Sequence, residues 1–202
     1  MKEKEILELL FRSGVIMENV HVSYSSGLHG SVYVNKDVLL PDIERTKSVA
    51  EALAKKIAKK GIKVETVLGP APVGAIFARE VGRALACIMR KNVYAVYAEK
   101  RDDKEFFIGR GQGRFVKEKK VLVVEDIINT GESAKKVIEA ARRCEGNVVG
   151  VGALLNRGGV SREDLGVPFL VSLVSMILEA WAKKDCPLCE KGVPLYSRSE
   201  EI

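Results

Sequence analysis

Short apolar runs alternate with longer amphipathic stretches over most of this chain. Apolar runs bounded by glycine, proline or polar residues predict buried strands, and apolar residues three and four positions apart predict helices. The predicted strands are residues 20–24, 32–34, 64–68, 93–97, 121–124, 148–155 and 169–174. The predicted helices are residues 2–12, 41–60, a segment that follows the loop 69–74 and ends near 85, 132–144, 161–165 and 177–184. This alternation predicts an α/β fold, a Rossmann-like parallel sheet flanked by helices on both faces.

The composition is that of an ordinary globular chain, with 202 residues, 47% hydrophobic and 30% charged. The net charge of +6 fits anionic partners, and a phosphorylated substrate explains it as easily as nucleic acid does. Because the basic residues are spread among acidic ones, we do not expect a nucleic-acid partner. Residues 1–11 read as an amphipathic helix rather than a signal peptide, and the apolar run 167–177 is too short to span a bilayer. We therefore expect a cytoplasmic protein without a membrane partner.

Residues 121–133 carry the most specific chemical pattern in the chain. A buried strand ends in two carboxylates, Glu125 and Asp126, and a turn of small and polar residues leads into a helix. Backbone N–H groups from Asn129 to Ser133, at a helix N-terminus, can surround a phosphate, while the carboxylates suit sugar hydroxyls or a hydrated Mg²⁺. A buried strand that ends in Asp before a capped helix is the plainer alternative. The pattern predicts a site for a phosphorylated sugar.

Three other loops could contribute to the same site. The loop 69–74 joins a strand to a helix, and its glycines either admit a ligand close to the backbone or form a plain turn. The charged, glycine-rich segment 99–115 is either a solvated hairpin or a mobile lid that brings cations to a leaving group. Arg157, in the segment 154–159, can hold a planar carboxylate through two parallel hydrogen bonds, or can be a surface residue.

The four cysteines leave several roles open. Cys87 and Cys144 lie alone in helical patterns and are expected to be small core residues. Cys186 and Cys189 form a C-x-x-C near the C-terminus, but a zinc site needs four ligands, and the sequence shows no second pair or nearby histidine. A half-site completed across a dimer, a redox pair and two inert thiols all remain open.

The segment 121–133 resembles the phosphoribosyl-diphosphate (PRPP) signature of type I phosphoribosyltransferases. That signature has four apolar, two acidic and two apolar residues before Thr-Thr/Ala-Gly-x-Ser/Thr, and Asn129 replaces its first Thr. The loop 69–74 resembles the pyrophosphate loop of orotate phosphoribosyltransferases. Residues 25–36 resemble their N-terminal hood, which closes over the base and in which Tyr33 could stack on a pyrimidine. His29, flanked by Gly27 and Gly30, either belongs to this hood or is an exposed turn residue. The segment 154–159 resembles the one whose Arg grips the orotate carboxylate. The resemblance spans roughly residues 19–160.

The resemblance implies a type I phosphoribosyltransferase fold with a small N-terminal hood and a flexible lid loop. One domain is expected over residues 1–202, with the hood at 1–40, the core at 41–175, and a C-terminal helix and C-x-x-C tail at 176–202. The implied reaction is Mg²⁺-dependent transfer of the phosphoribosyl group from PRPP to orotate, which yields orotidine 5′-monophosphate and pyrophosphate in pyrimidine biosynthesis. A homodimer is also implied, in which the lid reaches the neighbouring subunit's site.

The same resemblance assigns roles to individual residues. The implied catalytic residues are Asp126, Glu125, Lys100 and Lys104. The implied PRPP-binding residues are Glu125, Asp126, Ile127, Ile128, Asn129, Thr130, Gly131, Glu132, Ser133, Pro70, Ala71 and Lys100. The implied base-binding residues are Arg157, Tyr33, Val34 and Asn129. Mg²⁺ is expected to bind through PRPP rather than directly to side chains, with Glu125 and Asp126 as the only candidate side-chain ligands.

Departures from the family pattern keep other functions open. Val73 stands where some orotate enzymes have Lys, and Ser25 replaces a basic residue. In the lid, Lys104 is one residue out of register and no histidine occurs, so Arg101, Arg110 and Arg114 are candidate substitutes. The alternatives are a phosphoribosyltransferase for another base, a regulator that binds PRPP or a nucleotide without catalysis, and a redox or zinc-linked structural protein.

Overall fold

Two sheets and six α-helices organise the protein in a computed structural model that describes residues 3–24, 26–35, 38–101 and 105–196. Strands β1 to β8 are Ile16–Ser23, His29–Val34, Thr66–Pro70, Tyr94–Arg101, Glu105–Phe107, Lys120–Ile128, Asn147–Asn156 and Leu170–Ser175. Helices α1 to α6 are Glu3–Arg12, Ile43–Ala58, Val73–Met89, Glu132–Arg143, Arg162–Leu165 and Pro187–Glu190. Two 3₁₀ turns are Gln112–Phe115 and Lys183–Asp185.

The main sheet has six strands in the order β5-β4-β3-β6-β7-β8. All neighbouring pairs run parallel except β4 and β5, which form an antiparallel hairpin at one edge. Strands β1 and β2 form a separate antiparallel hairpin. The parallel strands place the loops after β6 and β7 at one edge of the sheet, where ligands bind in open α/β folds. The predicted α/β fold class is confirmed.

Alternating residues of the parallel strands build a core on each face of the main sheet. Val67, Leu122 and Val124 pack with α1, α2 and α3 on one face, whereas Leu68 and Val123 pack with α4 on the other. This alternation follows from the period of two in a β-strand. Strands buried on both faces read as continuous apolar runs, which is why the sequence pattern predicted them.

Helix α2 illustrates how local signals set the elements. The carboxylate of Asp42 accepts a hydrogen bond from Arg45 N at 2.9 Å, which caps the first turn. Buried residues then recur three and four positions apart on the face toward the sheet: Thr46, Val49, Ala50, Leu53, Ala54 and Ile57. Within the described residues, no helix is long and apolar enough to cross a membrane.

Two predictions about the fold are wrong. The segment predicted as a helix at 177–184 is largely irregular, and Trp181 pairs with His29 in an isolated antiparallel bridge. Its apolar spacing does not mark a buried face, because Ile177 is 84% exposed and the backbone of Trp181 bonds to the β1–β2 hairpin instead. Cys87, predicted in the core, is exposed, whereas Cys144 packs partly buried against the core.

Candidate active site

A cavity of about 800 Å³ lies at the carboxyl ends of β6 and β7, beneath the β1–β2 hairpin. A smaller cavity of about 110 Å³ adjoins it around the turn that precedes α4. The larger cavity is lined by residues that lie far apart in the sequence, whereas the smaller one is lined by residues of the single segment 125–134. The larger cavity brings together the strand end at Glu125 and Asp126, the turn that follows, Arg157, the hairpin and the lid segment.

The turn between β6 and α4 is shaped to hold an anion. Gly131 has φ +78° and starts α4, so the N–H groups of the first helical turn are not used within the helix. Asn129, Thr130 and Ser133 line both cavities, and the hydroxyl of Thr130 accepts a hydrogen bond from Glu132 N at 3.4 Å. Backbone donors that the helix itself does not use, hydroxyls and the positive end of the helix dipole suit a phosphate.

The two carboxylates sit at the mouth of this turn. Glu125 and Asp126 are each only 6% exposed, and both line the larger cavity. The backbone N–H of Ile127 donates to Asp126 Oδ1 at 2.8 Å, which fixes the side chain at the strand end. Acidic residues are rarely buried without a use for their acceptor oxygens. This pair can accept hydrogen bonds from sugar hydroxyls or bind a hydrated cation.

Arg157 faces the cavity from the loop after β7. Its Nε is buried and has no hydrogen-bond partner among the described residues, and its guanidinium lies 5.0 Å from the ring centre of Tyr24. Burial raises the pKa of Tyr24. The nearby charge of Arg157 and the hydrogen bond that the Tyr24 hydroxyl donates to Val32 O oppose that rise. The phenol therefore stays neutral at pH 7 beside the cation. An anionic, planar group would complete the hydrogen bonding of this arginine.

The Arg157 loop, residues 156–160, packs against the turn 129–131 between β6 and α4, which is called the phosphate-type turn below. Arg157 N donates to Ile128 O at 2.9 Å, and a Cβ at Gly158 would lie 1.6 Å from Asn129 O. Asn156 braces the same loop, because its amide donates to Val160 O at 2.8 Å and accepts from Val160 N at 3.2 Å. Asn156 therefore ties the loop together.

Aromatic side chains close the cavity opposite the turn. Tyr33 and Val34 of β2 line it, as predicted, and Tyr196 of the C-terminal tail lines it beside them. The rings of Tyr33 and Tyr196 lie 5.3 Å apart at 43°. Tyr24 also lines the cavity. Sequence reasoning missed Tyr24 and Tyr196, because neither lies in a motif; only Tyr24, at a predicted strand end, carried any local signal.

The lid contributes less than predicted among the described residues. Lys100 lines the cavity together with Glu105 and Phe106, which the sequence did not single out. Phe106 is buried, so the segment is a hairpin anchored to the core rather than a fully solvated one. Arg101 and Arg114 stack on lid phenylalanines, Arg110 pairs with Glu99 at 3.3 Å, and none of the three arginines lines the cavity. Lys104 lies outside the described residues.

The loop 69–74 is close to the sheet edge but does not line either cavity. A Cβ at Gly69 would lie 2.0 Å from Gly74 O, and one at Gly74 would lie 2.5 Å from Pro70 Cδ, so both glycines are required by close packing. Ala71 N donates to Ala98 O at 2.8 Å. The structure therefore leaves Pro70 and Ala71 outside the group of residues that it brings together.

The other predicted residues fall into place around the turn. Ile127, Asn129 and Glu132 line the larger cavity, and Ile128 and Gly131 line the smaller one. Lys136, which pairs with Glu132 at 2.9 Å, also lines the larger cavity and was not predicted.

Histidine and cysteine positions require a correction. His29 neither lies in an exposed turn nor lines the cavity; it is 4% exposed and contacts His21. The inference that no histidine lies near Cys186 and Cys189 is also wrong, because His21 and His29 both contact this pair. Sequence spacing could not show this, because more than 150 residues separate the histidines from the cysteines.

Comparison with known proteins supports the class that this fold and site define. Residues 40–182 match the family model described as "Phosphoribosyl transferase domain", and the chain belongs to this family.

Relatives specify the type further. An orotate phosphoribosyltransferase of Caldanaerobacter subterraneus subsp. tengcongensis is 36% identical over 96% of each chain. The enzyme of that name from Thermotoga maritima is 40% identical over 94% of each chain. The crystal structure of orotate phosphoribosyltransferase from Aeropyrum pernix superposes with a TM-score of 0.66 at 26% identity, over 84% of this chain and 93% of that chain. The resemblance to orotate phosphoribosyltransferases is thereby confirmed.

Proposed function

We propose that this protein transfers the phosphoribosyl group of PRPP to orotate and releases orotidine 5′-monophosphate and pyrophosphate. The observation that carries the proposal is the pairing, in one cavity, of the turn between β6 and α4 with Arg157, whose Nε is buried. PRPP is a phosphorylated sugar, and orotate is a planar base that bears a carboxylate. Relatives at 36% and 40% identity that carry the name orotate phosphoribosyltransferase support both substrates.

PRPP would occupy the turn end of the cavity. The N–H groups and hydroxyls from Asn129 to Ser133 would hold its 5′-phosphate, and Glu125 and Asp126 would accept hydrogen bonds from the ribose hydroxyls. Lys100 lines the same cavity and would face the pyrophosphate. Pro70 and Ala71 would lie near the pyrophosphate but offer it no backbone donor, because proline has no N–H and Ala71 N donates to Ala98 O. Lys104 remains a candidate lid cation.

The base would occupy the end that the aromatic residues close. Arg157 would grip the orotate carboxylate with two parallel hydrogen bonds, which would also satisfy its buried Nε. Tyr33 would stack on the pyrimidine ring, with Val34 and Asn129 beside it. These positions would hold the attacking ring nitrogen toward C1′ of the ribose.

The reaction needs positioning rather than a protein nucleophile. The bond from C1′ to the pyrophosphate oxygen breaks, and its electron pair leaves with pyrophosphate. The ring nitrogen forms the new bond to C1′ and gives up its proton, which the released pyrophosphate or water accepts. Positive charge develops on the ribose in an oxocarbenium-like transition state, close to the carboxylates of Glu125 and Asp126. Lys100 would offset the charge that accumulates on the departing pyrophosphate.

The acidic pair also fits the metal that this chemistry uses. Two carboxylates, 6% exposed each and set at the edge of the cavity, are hard oxygen donors of the kind that Mg²⁺ prefers. When bound with PRPP, Mg²⁺ would neutralise part of the charge on the leaving pyrophosphate. We further propose that the protein acts as a cytoplasmic homodimer, which the resemblance to orotate phosphoribosyltransferases supports.

The test is pyrophosphate release from PRPP and Mg²⁺, with orotate, uracil, adenine, guanine, hypoxanthine and xanthine supplied in separate reactions. We expect release with orotate only. Release with another base alone would keep the reaction class and overturn the assignment of Arg157 to a carboxylate. Calorimetric binding of PRPP without release from any base would instead favour a non-catalytic regulator.

A further inference from the structure

Four side chains that the proposed reaction does not use converge between the β1–β2 hairpin and the C-terminal tail. They are His21 and His29 of the hairpin, and Cys186 and Cys189 of the C-x-x-C, and one ligand atom from each lies within 4.8 Å of the other three. His21, His29 and Cys186 are only 3%, 4% and 2% exposed, and Cys189 is half-buried. Burying four polar groups together is costly unless they satisfy one another or a shared ligand satisfies them.

The separations between these atoms are close to those of a tetrahedral zinc site. Cys186 Sγ lies 3.5 Å from His21 Nε2, and Cys189 Sγ lies 3.6 Å from His21 Nε2 and 3.3 Å from His29 Nδ1. Nitrogen and sulfur ligands bound to Zn²⁺ at about 2.0–2.3 Å lie roughly 3.3–3.8 Å from one another in a tetrahedron. The two nitrogens, His21 Nε2 and His29 Nδ1, are closer than this, at 2.9 Å. A small rotation of the rings would admit the ion.

A hydrogen bond outside the cluster sets one histidine for metal binding. His21 Nδ1 lies 2.6 Å from Val193 O. Because a carbonyl oxygen can only accept, the ring proton belongs on Nδ1, and the Nε2 lone pair faces the two sulfurs and His29. Histidines that bind metals commonly donate their other ring N–H to a carbonyl or carboxylate in this way. His21 therefore presents its nitrogen in the correct tautomer.

Backbone contacts assemble the cluster from two distant segments. His29 and Trp181 exchange two backbone hydrogen bonds of 2.8 Å, and Tyr196 N donates to His21 O at 2.7 Å. Pro187 starts the short helix α6, and Glu190 N bonds to Cys186 O at 3.1 Å, so Cys186 and Cys189 lie on one helical turn. The tail is thus attached to the hairpin on both sides of the C-x-x-C.

We propose that His21, His29, Cys186 and Cys189 bind one Zn²⁺ in a closed structural site that joins the hairpin to the C-terminal tail. Two thiolates with two imidazoles in tetrahedral geometry suit zinc rather than Mg²⁺ or Ca²⁺. Four protein ligands leave no position for water, so the ion has a structural role. A disulfide between Cys186 and Cys189 would use neither histidine and would leave their convergence unexplained.

The site also has a consequence for the cavity, which rests on the proposed function. The tail segment that supplies Val193 to His21 continues to Tyr196, whose ring contacts Tyr33 at the base end of the cavity. Zinc therefore holds Tyr196 in place. Loss of the ion should raise the KM for orotate more than the KM for PRPP. The turn that would hold the phosphate of PRPP lies between β6 and α4, away from the tail.

The first measurement is the metal content of the protein purified without added metal or chelator, determined by mass spectrometry of the elements. We expect one zinc per chain. Cys189→Ser and His29→Asn should lose most of it, while Cys87→Ser, an exposed cysteine outside the cluster, should retain one zinc. Cobalt substitution of the wild-type protein should produce thiolate-to-cobalt charge transfer and the intense visible bands of tetrahedral coordination. This readout does not depend on the folding of any variant.

Several results would overturn the proposal. They are a metal-free protein that does not take up zinc or cobalt, stoichiometric iron in place of zinc, and an intact mass showing a Cys186–Cys189 disulfide in protein prepared under reducing conditions. Retention of zinc by both Cys189→Ser and His29→Asn would place the ion elsewhere. Each of these readouts is independent of turnover, so failure of the zinc site and failure of the proposed transferase activity are distinguishable.

Discussion

Two adjacent glycines in the Arg157 loop should respond differently to substitution by alanine: Gly158→Ala should lose activity, whereas Gly159→Ala should lose mainly stability. Gly158 has its backbone in a region open to any residue, but a Cβ there would lie 1.6 Å from Asn129 O. Gly159 has φ +66°, and a Cβ there would approach nothing closer than 3.8 Å, at Ile177. Gly158→Ala therefore creates an overlap with backbone, whereas Gly159→Ala creates only backbone strain.

The size of the effect follows from these distances. Ordinary contacts of a Cβ begin near 3.4 Å, so Gly158→Ala must separate the Arg157 loop from the phosphate-type turn by about 2 Å. A misplacement of about 1 Å can cost roughly 100-fold in rate, so we expect kcat/KM for orotate to fall at least about 100-fold. Loss of the bond from Arg157 N to Ile128 O should cost about 1 kcal/mol of stability. Gly159→Ala should cost about 1–2 kcal/mol through its left-handed backbone and keep most of the activity.

The assay is steady-state pyrophosphate release with orotate, together with the Tm of each variant by calorimetry. Stability losses of about 1–2 kcal/mol correspond to Tm shifts of about 2–8 °C at this chain length, so both proteins should remain folded at assay temperature. The reasoning would be refuted by near-wild-type kcat/KM in Gly158→Ala. Equal losses of activity in both variants would also refute it, because they would point to general destabilisation.

Three further substitutions probe the remaining parts of the site and the core. Asp126→Asn keeps the size of the side chain but removes its charge, so kcat in steady-state kinetics should fall at least about 100-fold, while Tm in calorimetry should change little. An unfolded variant with normal activity per folded molecule would contradict the role of Asp126 in the reaction. Arg157→Lys keeps the charge but loses the second of two parallel hydrogen bonds, worth about 1.5–3 kcal/mol, so the KM for orotate should rise at least about tenfold while the KM for PRPP stays nearly unchanged. Equal rises in both KM values would show that Arg157 does not bind the base. Gly150→Ala would place a Cβ 2.3 Å from the Phe169 ring, so the free energy of unfolding measured by chemical denaturation should fall by about 1–3 kcal/mol, with both KM values unchanged. An unchanged denaturation midpoint would show that the Phe169 ring moves aside without cost.

The elements that carry a local signal agree with the structure. The apolar run at 121–124 lies within β6, and the turn with Gly131 starts α4 as predicted. Such segments are readable because strand period, capping and turn chemistry depend on residues a few positions apart. The prediction of a helix at 177–184 also relied on a local pattern, and it is wrong because contacts with a distant segment override that pattern. Its spacing resembles a helix, but the hydrogen bonds between His29 and Trp181 decide its conformation.

The sequence by itself determined the α/β fold class and the acidic strand end with its phosphate-type turn. It also predicted a carboxylate-binding role for Arg157, which the structure places in the cavity, and all of these inferences depend on contiguous segments. Only the tertiary structure decided that Tyr24 and Tyr196 line the same cavity, and that His21 and His29 meet Cys186 and Cys189. These contacts join segments more than 150 residues apart, so they leave no trace in any local pattern. They exist because the hairpin and the tail pack against each other in the folded chain.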